Sequence, residues 1–163
     1  MEGTECKKAD LETEIGGTIL KCRSAGFIVK QDKILLHKGK KEQFWAPVGG
    51  KIQAMESSEE TVAREYKEEL GIEVKVERLL WMAEHFYTYD SKRYQEYCFI
   101  YLLKDVHGVL NGKDTDFSRA DDPSFEYRWF PFDESNSLPF KPRFLEGKLD
   151  QMPEAFVHLI DRD

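Results

Sequence analysis

The stretch Gly50-Lys51-Ile52-Gln53-Ala54-Met55-Glu56-Ser57-Ser58-Glu59-Glu60-Thr61-Val62-Ala63-Arg64-Glu65-Tyr66-Lys67-Glu68-Glu69-Leu70-Gly71-Ile72 carries the strongest local signal in the chain. Ser57 or Ser58 has the side chain of a helix N-cap, Glu60 or Glu59 stands where a capping box needs a carboxylate, and Gly71 offers a left-handed stop after Leu70. The spacing predicts a helix over 58–70. Along it Val62, Tyr66 and Leu70 recur at four-residue steps with Ala63 beside them, an apolar stripe suited to packing on a sheet. The other face is acidic, with Glu65, Glu68 and Glu69 at i, i+3 and i+4 on one side of the helix.

Three carboxylates in one place repel, and they are relieved by protonation, by water or by a bound cation. Hard divalent ions such as Mg²⁺ take carboxylate and carbonyl oxygens and fill their remaining positions with water and phosphate oxygens. Arg64 can pair with Glu68 one turn on or reach back to Glu56, fixing the carboxylates by bidentate bonds. Taken alone, three glutamates also describe an ordinary solvated helix face.

The wider spacing decides between these readings. The segment resembles the signature of the Nudix family: Gly, five residues, Glu, seven residues, Arg-Glu, an apolar residue, any residue, Glu-Glu, any residue, Gly and an apolar residue. All seven fixed positions match, as Gly50, Glu56, Arg64, Glu65, Glu68, Glu69 and Gly71. At roughly one in fifteen per residue type, the chance of such a match is on the order of 10⁻⁸ per starting point. Trp45, Pro47 and Gly49-Gly50 resemble the family's approach to this box, and Trp129-Phe130-Pro131 its later aromatic strand, so the likeness extends over 27–134. Tyr66 stands where an aliphatic residue is usual, Gln53 where glutamate is frequent and Met55 where glycine often turns the loop.

The resemblance implies an α/β fold, an α/β/α sandwich with a mixed β-sheet between helices. It also implies a metal-dependent hydrolase that cleaves a diphosphate linkage in a small nucleotide-like molecule, with Mg²⁺ or Mn²⁺ as cofactor. Glu65, Glu68 and Glu69 would bind metal, with the Gly50 carbonyl as an added ligand, while Glu56 and Arg64 would hold the carboxylates in place. Glu68 or Glu69 would accept the proton of the attacking water. A further acidic ligand or base is expected from Asp121, Asp122 or Glu126, and a homodimer is compatible with the family. Two other readings stand beside this one: a nucleotide-binding regulatory module without hydrolysis, and an isomerase of isoprenoid diphosphates, which would call for a reactive cysteine such as Cys98.

Outward from the box, residues 1–16 are polar and unpatterned apart from Leu11 and Ile15, and read as a loose arm before a single domain over 17–163. Strand character runs through 18–30, a hairpin is expected at Gln31-Asp32 before Ile34-Leu35-Leu36, and long strands over 72–89 and 94–103 flank Asp90-Ser91-Lys92. Residues 44–50 form a rigid turn, Arg128-Trp129-Phe130 a short strand, 108–122 a polar loop, and 144–160 a closing helix.

Composition narrows the class. With 163 residues, 40% of them hydrophobic, the chain can bury one sizeable core. A net charge of −7 argues against a nucleic-acid polymer as partner, since such binding rests on Lys and Arg neutralising many phosphates. No run reaches the roughly 20 apolar residues of a membrane span, and the opening segment has no signal-peptide core, so a soluble cytoplasmic protein is expected. Cys6, Cys22 and Cys98 are odd in number and widely spaced, which disfavours a disulfide framework. Phe44, Trp45, Phe86, Tyr87, Tyr89 and Tyr94 are candidates to stack on a base. His85 and His107, without visible partners, are left as structural. No proline occurs between Pro47 and Pro123, a departure from some ADP-ribose-cleaving relatives, while Tyr87 and Tyr89 lie near where dinucleoside-polyphosphate enzymes place a tyrosine. Nucleoside triphosphates, nucleotide sugars and dinucleoside polyphosphates all stay open as substrates.

Overall fold

The β-branched run after Gly17 forms β2 (Thr18–Lys30), the strand around which the sheet is assembled. The computed structural model describes residues 8–111 and 122–163. β2 pairs antiparallel with β1 (Glu12–Ile15), β3 (Lys33–Gly39) and β4 (Val48–Lys51), and parallel with β6 (Lys92–Asp105). Beyond β6 lies β5 (Val74–Tyr89), antiparallel to it, and then β8 (Val157–Arg162), parallel to β5. On the other side β3 pairs antiparallel with β7 (Phe125–Pro131), so the sheet is mixed, in the order β7-β3-β2-β6-β5-β8. Two tight hairpins have both turn residues left-handed, Gln31 (φ 49°) with Asp32 (φ 59°), and Asp90 (φ 48°) with Ser91 (φ 61°), the backbone that matches strand twist in two-residue loops.

Successive strand residues point to opposite faces, and here each face has its own core. Ile28, Leu35, Tyr101, Leu103 and Trp129 pack with Val62 and Tyr66 of helix α1 (Ser58–Leu70). Phe27, Ile34, Leu36, Ile100 and Phe130 pack instead with Phe140, Phe144, Leu145 and Leu149 from the C-terminal third. The apolar stripe of α1 works as its spacing predicts, with Val62 and Tyr66 fully buried. Each such side chain contributes about 1.5–3 kcal/mol of transfer free energy.

Two expectations need correction. The arm over 1–16 was expected to be loose, yet Glu12–Ile15 is strand β1, with Gly16 and Gly17 at φ 55° and 72° turning the chain into β2. Its side chains are exposed, so backbone pairing and the Lys51–Glu12 ion pair (2.8 Å) hold it, and apolar patterning could not reveal it. The segment 144–160 is no helix. Left-handed Gly147 (φ 73°) ends a single 3-10 turn (Arg143–Leu145), and the chain then runs to β8, pairing Trp81 with Val157 through Phe86 with Arg162. Phe144, Leu145 and Leu149 are anchors of a coil laid across the sheet. The layer opposite α1 is therefore this coil with the one-turn helix α2 (Phe132–Ser135).

Candidate active site

The start of α1 is fixed from three directions. Ser57 Oγ accepts from the Glu60 amide at 3.1 Å while Glu60 Oε2 accepts from the Ser57 amide at 2.7 Å, a complete capping box. Ser24 Oγ on β2 donates to the Ser58 carbonyl at 2.6 Å, and Ser58 Oγ and Tyr101 Oη lie 2.6 Å apart. Deeper in the core, the Tyr66 hydroxyl donates to the Gly26 carbonyl at 2.9 Å. An aliphatic residue at 66 would pack but could not satisfy that carbonyl.

With the helix held, its acidic face is organised by Arg64. The guanidinium grips Glu56 through two bonds, Nε to Oε1 at 2.7 Å and Nη2 to Oε2 at 3.1 Å, and also reaches the Lys51 carbonyl at 3.2 Å. Its Nη1 donates to Glu65 Oε1 at 2.9 Å and Glu68 Oε2 at 3.2 Å. Glu56 accepts further from Thr61 Oγ1 (2.8 Å) and the Gln53 amide (3.2 Å), and the Arg64 bonds hold its carboxyl down at about 2. Gly50 on β4 lies against Glu65 so closely that a β-carbon there would overlap the carboxylate. Desolvation raises Glu65 above the usual range, with Arg64 pulling the other way.

Glu69 is the buried member of the set. Desolvation, and then the charge of Glu65, push its carboxyl up to about 8; Asp122 and Glu68 add to the rise and Arg23 opposes it. His37 Nδ1 stands 3.4 Å from Glu69 Oε2, and burial lowers its imidazole to about 4. Burial disfavours the charged form of both groups. The His37 ring stacks on Phe125, with centroids 5.2 Å apart and planes at 12°.

The donors suit a hard divalent cation by type, being carboxylate oxygens raised first by desolvation and further by one another's charge. As the side chains stand, no three carboxylate, imidazole or thiol groups among the described residues close on one point. Arg64 holds two of the three carboxylates, so an ion taking all three would compete with it for Glu65 and Glu68.

The family model of the NUDIX domain matches residues 20–149. The chain belongs to the NUDIX domain family. No curated protein matches the sequence. Among solved structures it is similar to a MutT protein from Bacillus halodurans (TM-score 0.63, 22% identity, covering 86% of this chain and 89% of that one). It is also similar to a UDP-X diphosphatase (0.57, 24%, 85% and 66%) and to an ADP-ribose pyrophosphatase from Streptococcus suis (0.54, 19%, 86% and 98%). These likenesses establish the Nudix fold.

Of the other residues singled out in the Nudix sequence, Asp122 lies near enough to act on Glu69, while its Oδ1 accepts from the Ser124 amide at 3.0 Å. Glu126 is drawn away, paired with Arg128 at 2.9 Å and Lys38 at 3.9 Å. Asp121 lies outside the described residues. Trp45 is withdrawn as a stacking surface: it is 6% exposed, set edge-on to Phe130, with Lys38 and Arg128 over its ring. Tyr87 is stacked on Tyr94 at 4.9 Å and 6°, and Arg162 lies 4.0 Å over Phe86. Phe44 and Tyr89 share one cation, Lys141, at 4.4 and 5.7 Å from their ring centres. His85 is buried, with Asp161 2.7 Å from its Nδ1.

The sequence reading missed His37 and Arg23. A signal existed, since His37 shares strand parity with Leu35, which packs in the core beneath α1. Only the placement of β3 under the helix gives that parity a meaning.

Proposed function

We propose that the chain hydrolyses a diphosphate linkage in a nucleoside diphosphate joined to another moiety, with Mg²⁺ or Mn²⁺ held by Glu65, Glu68 and Glu69. The observation that carries this reading is the Arg64 fork on Glu56, which fixes a rigid brace beneath a half-buried acidic cluster. When bound there, such a cation would lower the pKa of water and offset charge developing on phosphate oxygens. Glu68 or Glu69 accepts the water's proton, Arg64 orients Glu65 and Glu68, and Gly50 leaves room for the Glu65 carboxylate with its carbonyl as a further oxygen donor. Asp122 is the added acidic group that fits best, since its charge already acts on Glu69.

The substrate class favoured is a nucleoside diphosphate linked to a second group, as named for one similar structure, while the absence of a proline between Pro47 and Pro123 weighs against ADP-ribose, named for another. Phe44 and Tyr89, gathered around Lys141, offer rings for a base. Among the described residues no helix is long and apolar enough to cross a membrane, and the free thiols of Cys22 and Cys98 suit a reducing, cytoplasmic setting. The test is a panel of nucleoside triphosphates, nucleotide sugars, ADP-ribose and dinucleoside polyphosphates with Mg²⁺ or Mn²⁺, beside Glu68→Gln and Glu69→Gln. Metal-dependent cleavage of one class, lost in both variants, is expected. Metal binding without turnover of any compound would favour a regulatory module.

A further inference from the structure

β3 carries one polar side chain where its apolar run ends. Ile34, Leu35 and Leu36 are fully buried, and His37, next in the strand, is buried as well. Its backbone is held on both edges, by pairing with Tyr127 of β7 and by a two-bond bridge to Ala46, with N to O distances of 3.0 and 2.9 Å. Its ring is held too, stacked on Phe125 at 5.2 Å and 12° and tilted onto Tyr127 at 6.0 Å and 31°. A phenylalanine or leucine would fill this place without giving up the hydration that an imidazole loses. The ring nitrogens are therefore what distinguishes histidine here.

His37 Nδ1 is buried and makes no hydrogen bond as the side chains stand. Glu69 Oε2 lies 3.4 Å from it. Bonds within a catalytic site are often long in the resting protein and tighten in the working complex. A neutral imidazole can carry its one N–H on Nδ1 and donate it to a carboxylate, so the contact needs no charge on the ring. Arg64 already braces Glu65 and Glu68 from within α1, at 2.9 and 3.2 Å.

We propose that His37 is a positioning residue for Glu69, its Nδ1 edge keeping that carboxylate turned along the acidic face so that it offers an oxygen to the cation shared with Glu65 and Glu68. This rests on the metal-dependent reading above. His37 touches neither substrate nor cation. The acidic face is then braced from two elements, by Arg64 on the helix and by His37 on the strand beneath its end. Partners that orient a metal ligand in this way change metal affinity by about 10–100-fold when removed.

The experiment is calorimetric titration of Mn²⁺ into the full chain, with melting midpoints, for wild type, His37→Phe, His37→Asn and Glu69→Gln. His37→Phe keeps a ring against Phe125 and deletes Nδ1; His37→Asn gives up the ring and keeps an N–H donor close to the backbone. His37→Phe should weaken Mn²⁺ binding by about tenfold or more with a midpoint at or above wild type. His37→Asn should melt below wild type, having lost the buried ring, yet bind Mn²⁺ more tightly than His37→Phe. Stability and metal affinity would then order the two variants oppositely, which a histidine that only packs would not produce. Wild-type Mn²⁺ affinity in His37→Phe, beside a loss in Glu69→Gln, would overturn the inference and leave the metal-dependent reading standing. Asparagine binding Mn²⁺ no better than phenylalanine at this position would also overturn it. A wild type that binds no Mn²⁺ would remove the metal-dependent reading itself, and this inference with it.

Discussion

The Arg64 guanidinium and the Glu56 carboxylate meet as two parallel bonds, 2.7 and 3.1 Å long, eight residues apart along the chain. This fork ties the loop before α1 to the middle of the helix, and it holds Glu56 at about 2 against an ordinary value of 4.5. A carboxyl lowered by folding contributes stability that is fully present above its unfolded pKa and is lost as pH falls through its folded one. Wild-type thermal stability should therefore drop between about pH 4.5 and pH 2 in part through this group. Glu56→Gln should cost about 1–3 kcal/mol at pH 7 and flatten that acid limb, read by melting curves from pH 2 to 7. An unchanged acid limb in the variant would show that other carboxyls carry it.

Gly50→Ala tests the closest approach in the site. The added methyl would meet the Glu65 carboxylate, whose other neighbour, Arg64, is already committed to Glu56. A side-chain displacement of about 1 Å can cost 10²-fold in rate. Turnover should fall by about that factor, with a thermal midpoint close to wild type. Equal turnover would mean that Glu65 does not need its present position.

The box was legible because its requirements are local: capping, helical spacing and carboxylate clustering are all written within 50–72. The hairpins at Gln31-Asp32 and Asp90-Ser91 were legible for the same reason. What the sequence could not convey depends on which strand lies beside which. Arg23 comes near the acidic helix only because β2 pairs with β4 next to Gly50, and His37 meets Glu69 only because β3 passes under the end of α1. Trp45 shows the opposite failure, since its aromatic character suggested a ligand platform while its burial against Phe130 makes it core. The final strand was misread because Phe144, Leu145 and Leu149 bury their side chains from a coil, which has no period to detect.

Met55 marks a place where the backbone shape outweighs residue preference. It holds φ at 65° in the loop before α1 and is 92% exposed, so its side chain gains nothing from packing. The left-handed region costs a residue with a β-carbon roughly 1–2 kcal/mol, while glycine gives back part of that through its freer unfolded chain. Met55→Gly should raise stability by about 0.5–1 kcal/mol, or roughly 1–4 °C in midpoint. A lower midpoint would show that Met55 makes a contact in solution that compensates for its backbone.

The cysteines bear on the isomerase alternative, which needs a reactive thiol beside the acidic helix. Cys98 is 4% exposed within the core, and desolvation, with a smaller push from Glu96, moves its thiol up to about 12. Cys22, half-buried on β2, is also raised by desolvation. At pH 8 a thiol shifted to about 12 is thiolate in roughly one molecule in ten thousand, and burial further limits the approach of a reagent. In a Cys6→Ser, Cys22→Ser background, the native protein should give no rapid reaction with a disulfide reagent at pH 8, and one thiol should appear when denaturant is added. Rapid labelling of Cys98 in the folded protein would restore the isomerase reading, because that thiol would then be both accessible and ionised beside the strand that carries Arg23.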